Sequence, residues 1–149
     1  MTKIADALRG ATKLGFDTSP VIYLVEINPS YDALVTAIFE RVDLGFIQGY
    51  TSVVTLSEVL VQPILKADKV LQEQYRDRLL DSLNFHTLSI NPDIAELAAR
   101  LRADYRLRTP DALQVATALE ADCEAFLCND KDLQRVSEIK VLTLDDLEL

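Results

Sequence analysis

Basic residues are in short supply in this chain. Lys and Arg number 15 against 24 Asp and Glu, for a net charge of −9. That excludes a protein that holds nucleic acid by bulk electrostatics. An acidic nuclease stays open, because site carboxylates count as negative until metal binds, but its grip on substrate would have to be local. An acidic surface also suits docking to a basic peptide. Cysteine is almost as sparse. Cys123 and Cys128 form no CxxC and no recognisable metal or redox spacing, so reduced thiols in a cytoplasmic protein are expected. With four glycines, none in a GxxxxGK[ST] or GxGxxG string, nothing suggests a nucleotide-binding switch. No uninterrupted apolar run is long enough to span a bilayer. The opening residues lack an apolar core of signal-peptide length. A soluble protein without membrane attachment is the expectation.

What remains describes a folded domain. Hydrophobic residues make up 49% of the 149 and charged residues 26%, which suits one globular unit. Residues 1–13 read as a short polar extension, and 14–149 as a single domain without repeat or linker. Leu14–Gly15–Phe16 reads as a strand, followed by a helical turn or two over 20–24. Leu34, Val35, Ile38, Phe39 and Val42 recur at helical spacing up to about Gly45. Tyr50–Val54 is β-rich. Residues 55–66 look helical with a bend or end at Pro63, and a polar helix follows from about Asp68 to Leu83. A strand at 85–89, an amphipathic helix after Asn91–Pro92 and a mostly apolar helix over 110–121 come next. Strands at 126–128 and 139–142 complete the pattern. Strands alternating with helices predict a three-layer α/β/α sandwich around a parallel sheet of four to five strands.

Four acids stand where an apolar run hands over to a helix. They are Asp17 after Leu14–Gly15–Phe16, Glu58 in Thr55–Leu56–Ser57–Glu58, Asp111 in Thr109–Pro110–Asp111, and Asp130 after Phe126–Leu127–Cys128–Asn129. In a parallel sheet the crevice beyond the strands' carboxyl ends is where ligands bind. Acids converging there repel one another unless a divalent cation lies among them, and magnesium or manganese (Mg2+ or Mn2+) prefers such hard oxygen ligands. The combination points to metal-dependent chemistry on phosphate esters. Each acid also has a structural reading. Asp17 and Asp130 suit helix N-caps, Thr55 with Glu58 suits a capping box, and Thr109–Pro110–Asp111 suits a capped start with an acid favoured by the helix dipole. Capping does not explain their apolar company, which would set them at the rim of a buried sheet where unpaired charge is costly.

Taken in order, these strings resemble a PIN domain, the metal-dependent ribonuclease fold of VapC-type toxins in bacterial toxin–antitoxin pairs. The resemblance runs from about Leu14 to Leu144. Asp17–Thr18–Ser19 resembles the opening acid motif and Ser57–Glu58–Val59 the helix-borne Glu. Thr109–Pro110–Asp111–Ala112–Leu113–Gln114–Val115–Ala116–Thr117–Ala118 resembles the family's most telling string, and Cys128–Asn129–Asp130–Lys131–Asp132–Leu133 the closing motif. The segment before Leu14 departs from the pattern, in which the first acid lies close to the start. The resemblance implies that Asp17, Glu58, Asp111 and Asp130 bind one or two divalent ions and that the substrate is RNA. It also implies a homodimer and a small antitoxin partner. Asp145–Asp146 and the net charge make a basic antitoxin tail electrostatically sensible.

Around the acids, Thr109 is placed to hold a carboxylate or water, with Asn129 and Asp132 as lesser candidates. Arg100, Arg102, Arg106 and Arg108 precede the Asp111 motif. A solvated face is the commoner reason for such a cluster, and Arg106 and Arg108 are the candidates for phosphate contact. His86, the only histidine, sits alone on a strand and is read as structural; Tyr23, Phe39 and Tyr105 fit core spacing. A haloacid-dehalogenase-like phosphatase would need a second acid where Ser19 stands. The alternative from another class is a catalytically weak domain that keeps the fold and binds a partner.

Overall fold

The computed structural model describes residues 1–149. Along the chain, β1 (Thr2–Lys3) and α1 (Ile4–Ala7) lead into β2 (Lys13–Phe16), α2 (Thr18–Val25) and α3 (Asp32–Asp43). Then come β3 (Gln48–Ser52), α4 (Val53–Leu65), α5 (Lys69–Leu80), β4 (Phe85–Leu88), α6 (Pro92–Tyr105) and α7 (Thr109–Glu120). The chain ends with β5 (Ala125–Cys128), a 3-10 turn at Lys131–Arg135, β6 (Lys140–Thr143), a second at Leu144–Asp146, and β7 (Leu147–Glu148).

Five strands form one sheet in the order β4-β3-β2-β5-β6, and every neighbouring pair is parallel. Side chains alternate across it, as the two-residue period requires. Leu14, Phe16, Phe85, Ala125, Leu127 and Leu142 pack into one core with α1 to α5, while Phe126 and Cys128 pack into a second with α6 and α7. The result is the expected three-layer α/β/α sandwich. The chain builds outward from β2 to β4, then returns to build outward on the other side through β5 and β6. The strand order therefore reverses between β2 and β5, the place where a doubly wound sheet opens its crevice.

Close approach of α7 to the sheet is written into one glycine. A Cβ on Gly15 would lie 2.6 Å from the Ala118 Cβ and 3.0 Å from the Phe126 ring, so no larger residue lets α7 settle on β2. As its apolar composition requires, α7 is central: Ala112 and Gln114–Ala118 are all buried. No helix is long and apolar enough to cross a membrane.

One expectation changes, the strand through Val54, and two open points gain detail. Residues 1–13 are built into the fold: β1 pairs in parallel with β7, and Ile4, Ala7 and Leu8 are buried in the first core. The Val53–Val54 pair opens α4 instead of closing a strand, because Ser52 accepts a hydrogen bond from the Val54 amide at 3.1 Å and caps the helix there. Pro63 lies inside α4, which runs two residues further. Proline forfeits only its own amide bond, and the Lys66 amide still reaches the Gln62 carbonyl at 3.0 Å.

Candidate active site

Asp17, Glu58 and Asp130 come from the segments that follow β2, β3 and β5, whereas Asp111 comes from the helix–helix junction between α6 and α7, where no strand precedes it. Asp17 follows buried Phe16 at the end of β2, and its amide donates to the Leu127 carbonyl at 2.9 Å, locking the loop to β5 across the reversal point. It stands at the N-cap position of α2, but its side chain makes no capping bond. Asp111 is the third residue of α7, 15% exposed, with its Oδ2 3.2 Å from the Arg108 Nε. Glu58 projects from the second turn of α4 and accepts a bond from the Thr18 hydroxyl at 2.9 Å. The sequence-level capping box at Thr55 does not form, since the cap is Ser52 and Thr55 is wholly buried. Asp130 follows β5 and does cap, accepting from the Asp132 amide at 2.9 Å.

Electrostatics tie these acids into one group. The Asp17 carboxyl is pushed up to about 6, first by burial and then by repulsion from Asp111, Glu58 and Asp130; the Thr18 amide opposes the shift. Part of its surface remains open, so the buried acid still faces the edge. No three acids close on one point at ligand distance in this arrangement. The carboxylates line an open edge, and Arg108 holds one of them.

The chemistry of the donor set suits a divalent cation, and Asn129 adds a buried polar group at the Asp130 junction. Asn129, next to Asp130, donates from Nδ2 to the Tyr23 hydroxyl at 3.2 Å, yet its Oδ1 is buried with no partner. That acceptor belongs to the Asp130 junction and is short of a proton donor. All four donor groups are hard oxygens, which fits magnesium or manganese.

Thr109 opens α7 and is exposed; Asp132 is exposed and pairs with Arg135 at 3.6 Å. Arg106 takes a left-handed conformation at the end of α6, with φ 56°, and so turns the chain toward Arg108. His86 binds the Gln48 side chain at 2.8 Å on the β4 side of the sheet, consistent with a structural part. Phe39 is core, against Phe16; Tyr23 and Tyr105 are partly buried against the two cores.

Sequence reasoning missed what lies behind the acids. Gln114, 2% exposed, accepts from the Ser52 hydroxyl at 2.6 Å and donates from Nε2 to Thr55 at 2.6 Å and Thr18 at 3.1 Å. Thr55 lies 2.8 Å from Thr51, whose hydroxyl donates to the Phe16 carbonyl at 2.9 Å. A lone glutamine in the apolar run of α7, one turn after Asp111, is the signal that would have found it.

With the site's geometry in place, a comparison with protein-family models gives a match to the PIN domain over residues 16–139. The chain belongs to the PIN domain family. Among solved structures, it is similar to a chain of a toxin–antitoxin complex from Klebsiella pneumoniae, at 30% identity and TM-score 0.64, covering 89% of this chain and 98% of that one. VapBC2 from Rickettsia felis, bound to a fragment of promoter DNA, matches at 12% identity and TM-score 0.72, over 89% and 98% of the two chains. DNA-bound VapBC from Salmonella typhimurium matches at 18% identity and TM-score 0.63 with the same coverage. The last two support the fold alone. No curated protein matches the chain.

Proposed function

We propose that this PIN domain is a magnesium- or manganese-dependent endoribonuclease, the toxin of a toxin–antitoxin pair. The observation that carries the reading is that Asp17 and Asp130 follow β2 and β5, the two strands flanking the sheet's reversal point, while Thr18, next to Asp17, holds Glu58 at 2.9 Å. Membership of a family of nucleases and similarity to a chain of a toxin–antitoxin complex support it.

In this reading Asp17, Asp111 and Asp130 bind the ion, directly or through water, and Glu58 completes the set or orients the attacking water. When bound, the ion lowers the pKa of its water and stabilises charge developing on the phosphoryl oxygens. Arg108 stands exposed beside Asp111, where it can exchange that carboxylate for a substrate phosphate. Attack of water on a phosphodiester then yields two ends, one carrying the phosphate.

The partner is a small antitoxin with a basic tail, and the toxin pairs with itself. Asp145 is engaged by the Tyr31 hydroxyl at 2.6 Å and Asp146 by Lys131 at 3.3 Å. The four-acid edge, with less internal compensation, is therefore the better target for an arginine or lysine of that tail.

Cleavage of a panel of cellular RNAs with manganese, with excess EDTA and with each acid replaced tests the activity. Metal-dependent cuts at mapped positions are expected. Undiminished cleavage in EDTA, or no cleavage of any RNA, overturns the reading; the second result favours the partner-binding alternative.

A further inference from the structure

We infer that Gln114 is a positioning residue: through Thr18 it fixes the Glu58 carboxylate relative to Asp111, which shares its helix. The inference rests on the nuclease reading above and names a residue outside the four acids.

The hydrogen-bond directions leave little freedom. Glu58 has no proton to give when ionised, so the Thr18 hydroxyl, 2.9 Å away, must donate to it. Thr18 then needs a donor for its own lone pairs, and Gln114 Nε2 supplies one from 3.1 Å. The same nitrogen's second proton goes to Thr55 at 2.6 Å. Thr51 donates to the Phe16 carbonyl, so in the 2.8 Å contact between them Thr55 is the donor. Ser52 already accepts from the Val54 amide and gives its proton to Gln114 Oε1. A flipped amide would face Thr18 and Thr55 with an acceptor and take back the proton that holds Glu58. The orientation of Gln114 is thus set by the acid two bonds away.

The network has a reason to be where it is. Thr51, Ser52 and Thr55 lie at the β3–α4 junction, Thr18 opens α2, and Gln114 comes from α7, so one amide joins three of the junctions that present acids. Fully partnered buried polar groups hold one geometry, because any other leaves a group unsatisfied. Glu58 is exposed and mid-helix, with no other polar contact, and would otherwise sample many rotamers.

The test is manganese binding by calorimetry, without RNA, on the full chain. Gln114→Met keeps the volume and removes the donor; Thr18→Val removes the proton that reaches Glu58; Thr18→Ser keeps it. Gln114→Met and Thr18→Val are expected to weaken binding about tenfold, the lower end for loss of a group that orients ligands. Thr18→Ser is expected to bind like the parent. In a Glu58→Ala background neither change is expected to weaken binding further. Equal losses with and without Glu58, or parent-like binding by Thr18→Val, overturn the role of Gln114 while leaving the metal site intact. A parent that binds no manganese overturns the nuclease reading, and this role with it. Should Gln114→Met fail to fold, the Thr18 variants decide the matter alone.

Discussion

The Thr18 hydroxyl donates to the Glu58 carboxylate at 2.9 Å, joining the residue after the first acid to the acid carried on α4. Thr18 is 8% exposed, so this contact anchors a solvent-facing carboxylate to the interior. It also makes the acid edge a built surface whose parts respond to one another.

Replacing Asp17, Asp111 or Asp130 by Asn is expected to remove most RNA cleavage while the fold survives. Asp17→Asn should in addition stabilise the metal-free protein at neutral pH by about 1–3 kcal/mol, because it removes a desolvated, repelled charge. Thermal melts in EDTA beside cleavage assays check both. A variant that melts far below the parent and keeps its activity per folded molecule would make that acid structural.

The raised Asp17 pKa predicts a pH window. The folded protein holds that proton up to about 6, whereas the unfolded chain releases it near the ordinary carboxylate value of about 3.9. Between these values the native state binds more protons, so this group's contribution to stability falls as pH rises from about 4 to about 6 and is level above. Denaturant unfolding in EDTA should show that decline in the parent and lose it in Asp17→Asn. An unchanged slope in the variant would assign the decline to another group.

Arg108→Ala should leave stability almost unchanged, since its side chain is 79% exposed and such pairs are weak. It is expected to raise KM for RNA while leaving manganese affinity the same or slightly tighter, as Asp111 is freed. Weaker manganese binding in this variant would mean that Arg108 supports the acids and does not compete for one.

The opening segment is open to a direct test. Leu8 is 4% exposed in the first core, and Leu8→Ala is expected to cost about 2–4 kcal/mol in urea unfolding. A change near zero would show that this segment adds nothing to the core.

These predictions divide along what the sequence makes visible. Asp17 and Asp130 were legible because each closely follows a short apolar run, and Asp111 because Thr109–Pro110 marks a helix start, all local patterns. The start of α6 was legible for the same reason: Asn91 accepts from the Ile94 amide at 2.9 Å, with Pro92 in the first turn. The opening segment was not. A four-residue helix is too short for periodicity to register, and β1 finds its partner in β7 at the far end of the chain. Gln114 was hidden for a related reason, since its partners lie 59 to 96 residues away and no local spacing announces them. The strand expected through Val54 failed where β-branched propensity competed with a serine cap and the cap prevailed.

The central claim is that four acids from four junctions form one divalent-metal site. A manganese titration by electron paramagnetic resonance, comparing the parent with the combined Asp17→Asn, Asp111→Asn and Asp130→Asn variant, tests it most directly. Saturable binding by the parent, lost in a folded variant, is the predicted result. Equal binding by both proteins would contradict it.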